Sequence, residues 1–509
     1  MHGREEAIVI GSGVGGLAAG IRLALKGHAV TVYEAGEGPG GKLSELRLGG
    51  YRFDRGPSLF TRPGLVAELF HEAGVPLEGR FAWRKLEEAN RYFWEDGTRV
   101  RGWSDADRLA EELFRQLGVD PTRVKRHLRR ADELLRATGR TFLEHSLHRW
   151  SDLREGDVWE ALTAARPGEL LGSLHTINSR ALDGHDKAVQ LFDRFATYNG
   201  SDPYRTPGLM RMIPGLEHGE GAFFPVGGMY AITIALHGLA EDLGVRFHFR
   251  SPVERILLAD DQRSVRGVRV NGTDHFANVV VSNMDVVPTY RKLLPDLAAP
   301  ERTLKQERSS SALVFYWGVQ AQLPELGLHN ILFSNDYRTE FDHLFRRLQV
   351  YHDPTVYIHI SSVLEPGDAP AGCSNWFTMI NAPRDVGQYD ADTIARARHD
   401  VLAKVRRTLG VDVEPLIAVE EVLDPPTIGA RTSSHQGSLY GTSSNSPWAA
   451  FLRHPNFHRR VQGLHFCGGS VHPGGGIPLA LLSARIAVKG IGTVGPSPVL
   501  KEGRHAATT

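Results

Sequence analysis

The sequence predicts an α/β fold: a Rossmann-like dinucleotide-binding domain, a second domain with a mixed sheet, and a helical insertion. Three observations predict it. Residues 6–25 join a short apolar strand to a glycine-rich turn and an apolar helix. A second glycine-rich helix start stands near the other end of the chain, at 468–480. Between the two lie a glycine-poor helical stretch and a series of short aromatic and β-branched runs.

The opening carries the most information. Residues 6–11 form an apolar run of the kind a buried parallel strand shows, and Gly11-Ser12-Gly13-Val14-Gly15-Gly16 follows at once. Residues 17–25 are apolar at helical spacing, Gly27 is placed to end the helix, and a second strand, 29–34, closes on Glu34. This strand–turn–helix–strand order is the context the glycine fingerprint requires. Gly11 permits the tight turn, Gly13 lets backbone approach a pyrophosphate, and Gly16 brings helix and sheet together. The unpaired N–H groups and the positive end of the helix dipole face the phosphates. Glu34, about twenty residues on, takes the adenosine ribose hydroxyls. Its charge disfavours a 2′-phosphate, so NADP is not expected. Ser12, Val14, Gly15 and Ala35 complete the predicted nucleotide contacts.

Composition sets bounds. The chain has 509 residues, long enough for two to three domains. Lys plus Arg equals Asp plus Glu at 59 each, so no basic field argues for nucleic acid, and no nucleic-acid-binding signature appears. Two cysteines, Cys373 and Cys467, fit a reducing compartment and give no disulfide framework. Neither a C-x-x-C pair nor an H-E-x-x-H helix supports a metal site. The N-terminus lacks a signal-peptide pattern, and no apolar stretch reaches the roughly 18 residues a membrane span needs. A cytoplasmic protein is expected, soluble or held at the membrane surface.

The remaining elements follow in order. Residues 61–75 read as a capped helix, and 92–100 as a hairpin turning at Asp96-Gly97. Residues 104–200, rich in Leu, Arg, Glu and Ala, read as successive helices. A helix at 231–243 ends at Gly244, a strand follows at 245–249, and strands at 251–257 and 264–270 continue the sheet. Residues 277–283 form another buried strand. Runs at 312–319, 330–333, 355–360 and 375–380 are antiparallel strands, able to floor an apolar pocket, and 391–409 is an amphipathic helix. Residues 463–470 form a strand ending in glycines, and 472–479 opens the helix 480–488.

Gly40-Gly41-Lys42, just past the ribose carboxylate, resembles the second fingerprint of flavin-dependent amine oxidases and carotenoid desaturases. There the backbone and cation lie along the FAD pyrophosphate. Residues 51–58, ending Gly56-Pro57-Ser58, resemble the segment that passes close to the flavin. Gly468-Gly469-Ser470-Val471-His472-Pro473-Gly474-Gly475-Gly476-Ile477-Pro478 is similar to the bacterial phytoene desaturase family of carotenoid desaturases. That likeness runs from residue 6 to about 492. In more distant amine oxidases the last strand ends in Gly-Asp; here Ser470 follows Gly469, so no carboxylate is assigned to that contact.

The resemblance implies a two-dinucleotide-binding-domain flavoprotein that binds FAD and introduces a C=C bond into a carotenoid. Besides the opening residues it assigns Gly41, Lys42, Gly56, Pro57, Ser58, Gly468, Gly469, Gly476 and Ile477 to FAD, and Val253 to the adenine ring. Residues 41–45 and 92–98 resemble hydroxycarotenoid 3,4-desaturases more than enzymes acting on phytoene. The implied partners are a long polyene, an electron acceptor such as quinone or oxygen, and the inner face of the cell membrane. No catalytic residue is named. The implied organisation places FAD-binding parts at 1–103, 221–300 and 421–492. A helical insertion at 104–220, a substrate domain at 301–420 and a flexible tail at 493–509 complete it. The alternatives are a phytoene desaturase, a carotenoid isomerase or oxygenase, an amine oxidase, and a non-enzymatic prenyl-binding escort protein. Both glycine sets being intact argues against the last.

Overall fold

The chain, described by a computed structural model over residues 5–149, 163–446, 449–450 and 452–495, is built on a five-stranded parallel sheet. Its strands run in the order Leu464–Phe466, Val279–Ser282, Glu6–Ile10 (β1), Ala29–Tyr33 (β2) and Arg246–His248. Side chains alternate along β1, as the pleat requires. Ala7 and Val9 pack on one side against Leu17 and Ile21 of the helix Val14–Leu25 (α1) and Leu481 and Leu482 of Ile477–Lys489. Ile8 and Ile10 point the other way, onto Ile256, Val268 and Val270.

Those last residues correct one expectation. The strands expected at 251–257 and 264–270 do not continue the main sheet. They form a separate antiparallel sheet, Val253–Leu258, Val265–Val270 and Thr273–Phe276, laid over its face. Polarity is the reason. Ile256 is buried while Glu254 and Arg255 are exposed, so this strand can cover a sheet but cannot lie inside a parallel one buried on both faces.

A seven-stranded sheet forms the second body, in the order Ile417–Leu423, Ser311–Val319, Ser374–Ala382, Val356–His359, His329–Leu332, Glu88–Phe93, Arg99–Trp103. Every residue of Ser311–Val319 is buried, because both faces are covered. Trp317, Phe315 and Trp376 pack with Val401 and Val405 of the helix Ala391–Leu409, while Tyr316 and Phe377 meet Tyr51 and Phe53 of the strand Tyr51–Arg55. The hairpin expected at 92–100 is present, and Gly97 has φ +88° at its tip. It belongs to this second sheet, where Asn330–Leu332 pair in parallel with Arg91–Phe93. The boundary expected at 103 therefore falls at the far edge of a sheet whose other strands begin at 311.

The insertion is helical as expected where it is described. Asp105 caps Ala106–Leu117 by accepting from Asp107 N (3.1 Å) and Arg108 N (2.9 Å), and Asp120 caps Pro121–Glu144. Leu109, Leu113, Leu128, Phe192 and Phe195 pack against Tyr92, Trp94, Ile331 and Phe333 of the second sheet. The helix expected at 61–75 spans Gly64–Ala73; Pro63 at its start supplies no capping side chain, and Gly74 at φ +67° ends it. Among the described residues no helix is long and apolar enough to cross a membrane. Val494 N donates to Lys26 O at 3.0 Å, so the chain is tied to the end of α1 as far as that residue; of the expected tail, 496–509 lie outside the described residues.

Candidate active site

Gly13 stands at the N-cap of α1 and offers no side chain to the first N–H groups, which remain available to a ligand. The turn is tight enough to exclude side chains. A Cβ on Gly16 would lie 2.0 Å from the Gly11 carbonyl oxygen, and one on Gly15 would lie 2.6 Å from Asn283 Oδ1. Glu34 is fixed at the end of β2: Oε2 accepts from Ser12 N (2.7 Å) and Ser12 Oγ (2.9 Å), and Oε1 from Gly36 N (2.7 Å). One carboxylate thus clamps the glycine turn to the loop beyond the strand.

The second glycine cradle closes on the first. A Cβ on Gly468 would also meet Asn283 Oδ1 at 2.6 Å, so the Asn283 amide sits between the two cradles. Gly476 is the N-cap of Ile477–Lys489, again with no capping side chain. Gly56, at φ +128°, leaves 1.9 Å between an added Cβ and the Lys42 carbonyl oxygen, so the 56–58 segment lies hard against 42. Ser470 Oγ accepts from Val286 N at 3.0 Å and serves the neighbouring turn.

These parts surround a cavity of about 860 Å³. The predicted residues Gly11, Gly13, Val14, Gly15, Glu34, Ala35, Gly41, Lys42, Gly56, Pro57, Ser58, Val253, Gly468, Gly469, Gly476 and Ile477 all line it. Ser12 and Gly16 do not: Ser12 is buried beneath Glu34, and Gly16 packs on the strand end. Lys42 lines the cavity with its ammonium engaged elsewhere, donating to Leu439 O (2.8 Å) and Ser438 O (3.4 Å). Burial pushes it down to about 8, against the opposing pull of Asp285.

Asn283, Asp285 and Arg308 escaped the sequence reading as site residues. Asp285 lines the cavity, caps the following turn through Val287 N (3.0 Å) and pairs with buried Arg308. A signal for them existed: 283–285 follow a buried parallel strand at its carboxyl end, where open α/β sheets bind ligands.

Beyond the glycines the cavity is walled by Leu135, Leu143, Met210, Met212, Ile213 and Phe377. A few polar groups interrupt this wall. Ser58 Oγ lies 2.6 Å from the Tyr357 hydroxyl, which lies 2.7 Å from His329 Nδ1. Arg194 donates to Tyr92 (2.9 Å) and Tyr198 (3.0 Å) and lies 3.5 Å from Glu217. Burial alone would push Glu217 up, but Arg194 holds it below the usual carboxylate range. The cavity thus joins an anion-binding, glycine-lined half to an apolar half, which suits an extended dinucleotide whose reactive end meets an apolar substrate.

Among known proteins, the family described as flavin containing amine oxidoreductase matches residues 14–491. The chain belongs to that family. A 1-hydroxycarotenoid 3,4-desaturase from Flavobacterium sp. (strain P99-3) is 47% identical, over 95% of this chain and 98% of its own. A 4,4'-diapolycopene oxygenase from Methylomonas sp is 32% identical, over 95% and 97%. An oxidoreductase structure from Methanosarcina mazei shares the fold at TM-score 0.61 and 15% identity, covering 95% of this chain and 100% of its own.

As a flavin-containing amine oxidoreductase the protein is an FAD-dependent oxidoreductase. The residues fit that cofactor. Two cradles that exclude Cβ atoms, two uncapped helix N-termini and a clamped carboxylate at the end of β2 supply donors for phosphates and acceptors for ribose.

Proposed function

We propose that the protein is a carotenoid desaturase that introduces the 3,4 double bond into a 1-hydroxylated acyclic carotenoid. The observation that carries this is the cavity, in which a glycine-lined half opens directly into an apolar half. The 47% identity to a 1-hydroxycarotenoid 3,4-desaturase supports the choice of bond.

Gly11, Gly13, Val14 and Gly15 hold the pyrophosphate by backbone, while Ser12, tied to Glu34, and Gly16, packed on the strand end, shape the turn from behind. Glu34 and Ala35 bind the adenosine ribose, and Val253 meets the adenine. Gly41 and Lys42 flank the pyrophosphate, while Gly56, Pro57, Ser58, Gly468, Gly469, Gly476 and Ile477 surround the flavin end. FAD supplies a two-electron acceptor for hydride.

The apolar wall does the remaining work. Leu135, Leu143, Met210, Met212 and Ile213 hold the polyene and exclude water, so that positive charge developing on the conjugated chain is not quenched. Arg194 is neutralised within the wall by Glu217 and bonded by Tyr92 and Tyr198, so it adds little unbalanced positive charge beside that chain. The substrate enters from the inner membrane surface, and a quinone or oxygen is the terminal electron acceptor.

Expression in cells that accumulate chosen carotenoids tests the reading. A red-shifted pigment only in cells making 1-hydroxylated acyclic carotenoids is expected. Conversion of phytoene would move the protein to an earlier desaturation, and an oxygenated product would favour the chemistry named for the Methylomonas relative.

A further inference from the structure

The desaturation leaves one proton without an acceptor, and a polar pair at the meeting of the cavity's two halves is placed to take it. Ser58 stands two residues after Gly56, which packs against the Lys42 carbonyl in the glycine half, and its hydroxyl meets Tyr357 of the apolar half. The pair therefore marks the junction of the two halves, where substrate and cofactor meet. Asn90, Arg194 and Tyr198 also line the wall; Arg194 has only donors, Asn90 Nδ2 donates to Glu217 at 3.0 Å, and the Tyr198 hydroxyl accepts from Arg194 and donates to Glu217.

The hydrogen bonds fix which way the protons point. His359 Nδ1 lies 3.1 Å from the Leu328 carbonyl oxygen, an acceptor only, so that nitrogen carries its proton. The same N–H faces His329 Nδ1 at 3.2 Å, so His329 Nδ1 is a bare lone pair. The Tyr357 hydroxyl, 2.7 Å away, therefore donates to His329. Ser58 in turn donates to the Tyr357 oxygen at 2.6 Å. With its own proton directed into the wall, the phenol oxygen offers the cavity a remaining lone pair and no donor.

We infer that Tyr357 is the proton acceptor of the desaturation, with His329 behind it as the positioning residue that draws off the phenol's own proton. The inference rests on the desaturase reading above. As hydride leaves one carbon for the flavin, the neighbouring C–H bond breaks and its electron pair becomes the second bond of the new C=C. The released proton bonds to the Tyr357 oxygen while the phenol proton passes to His329 Nδ1. Tyr357 ends neutral, His329 ends as imidazolium, and the two electrons reside on the reduced flavin.

The surroundings suit a weak base kept ready. Burial, with His359 and Arg194 adding to it, holds His329 well below the usual imidazole range, and burial brings His359 to about 4. Both rings stay neutral, so the His329 Nδ1 lone pair carries no proton of its own and takes the Tyr357 hydrogen bond. The charges nearest them are already compensated, Arg194 by Glu217 and Arg52 by Asp54 and Asp368. A proton beside a carbon bearing cationic charge is acidic enough to be lost to so weak a base.

The test uses purified holoprotein and a 1-hydroxylated acyclic carotenoid deuterated separately at the two carbons of the new bond, with flavin bleaching followed anaerobically. Tyr357→Phe and His329→Gln are expected to slow bleaching by about 10²-fold or more at unchanged FAD content. Deuterium at the proton-losing carbon should then slow the variants more than it slows the wild type. Variants that bleach at the wild-type rate overturn the inference. So does slowing with an unchanged isotope pattern, which is what a merely structural role would give. Wild-type protein that never bleaches with this substrate removes the desaturase reading itself, and the inference with it. If Tyr357→Phe fails to fold, His329→Gln, seated behind the wall, carries the same comparison.

Discussion

Glu340 is a buried acid whose ionisation the fold opposes. Burial raises it from 4.5 to about 7, although Thr355 N (3.1 Å) and Thr355 Oγ1 (2.7 Å) both donate to it. The folded chain keeps this proton where the unfolded chain releases it. Its contribution to stability therefore declines as pH rises from about 4.5 to 7 and levels off above. Gln imitates the protonated acid. Glu340→Gln is expected to melt higher than wild type at pH 8, by about 1–3 kcal/mol of stability, and to match it near pH 4.5. A gap that does not change with pH, read by thermal melts across that range, contradicts this. Glycine 16 makes a harsher test. A methyl placed 2.0 Å from the Gly11 carbonyl must shift α1 off the sheet, so Gly16→Ala should lose FAD and about 1–3 kcal/mol. The ratio of flavin to protein absorbance after purification reads the first loss. At this scale the sequence was most legible where backbone does the binding. Glycines advertise positions that a side chain would block, so the two cradles could be read directly. Asn283, Asp285 and the Ser58–Tyr357–His329 chain could not, because their partners lie far away in sequence and ordinary residue types carry no mark of a neighbour.

At the scale of elements, two cations grip the same pair of carboxylates and should not count equally. Lys404, fully buried on the helix Ala391–Leu409, donates to Glu95 (2.8 Å) and Asp353 (2.9 Å). Arg407, one turn on and 45% exposed, reaches the same two at 3.0 and 2.7 Å. Removing a buried partner strands charge away from water, whereas an exposed pair is screened. Arg407 still pairs both carboxylates when Lys404 is removed, so Lys404→Met is expected to cost about 1.5–3 kcal/mol and Arg407→Met under about 1 kcal/mol, by urea denaturation. Equal costs would show that solvent reaches the Lys404 site. Element types followed the sequence closely, since hydrophobic period separates strand from helix. Partnership did not. The strands from 253 and 265 joined a sheet of their own because Glu254 and Arg255 require solvent on one face, and the 88–103 hairpin found its partner at His329–Leu332. Period says what an element is; the pattern on its second face decides where it goes.

Across the whole molecule the two sheets do different work. The parallel sheet brings both ends of the chain together, so glycine turns about 450 residues apart close on one Asn283. The seven-stranded mixed sheet and the insertion build the apolar chamber beside them, from Ile331, Tyr357 and Phe377 of the sheet and Leu135, Met210 and Met212 of the insertion. Neither body alone could oxidise an apolar chain, since one lacks the chamber and the other the nucleotide cradle. The family resemblance was legible in the glycine strings, whereas the chamber required the folded chain. The most direct measurement mixes the purified, oxidised holoprotein with a 1-hydroxylated acyclic carotenoid in the absence of oxygen. Bleaching of the flavin band together with a red-shifted polyene, in equal amounts, is expected. A flavin that stays oxidised while the carotenoid is bound and unchanged would contradict the desaturase reading.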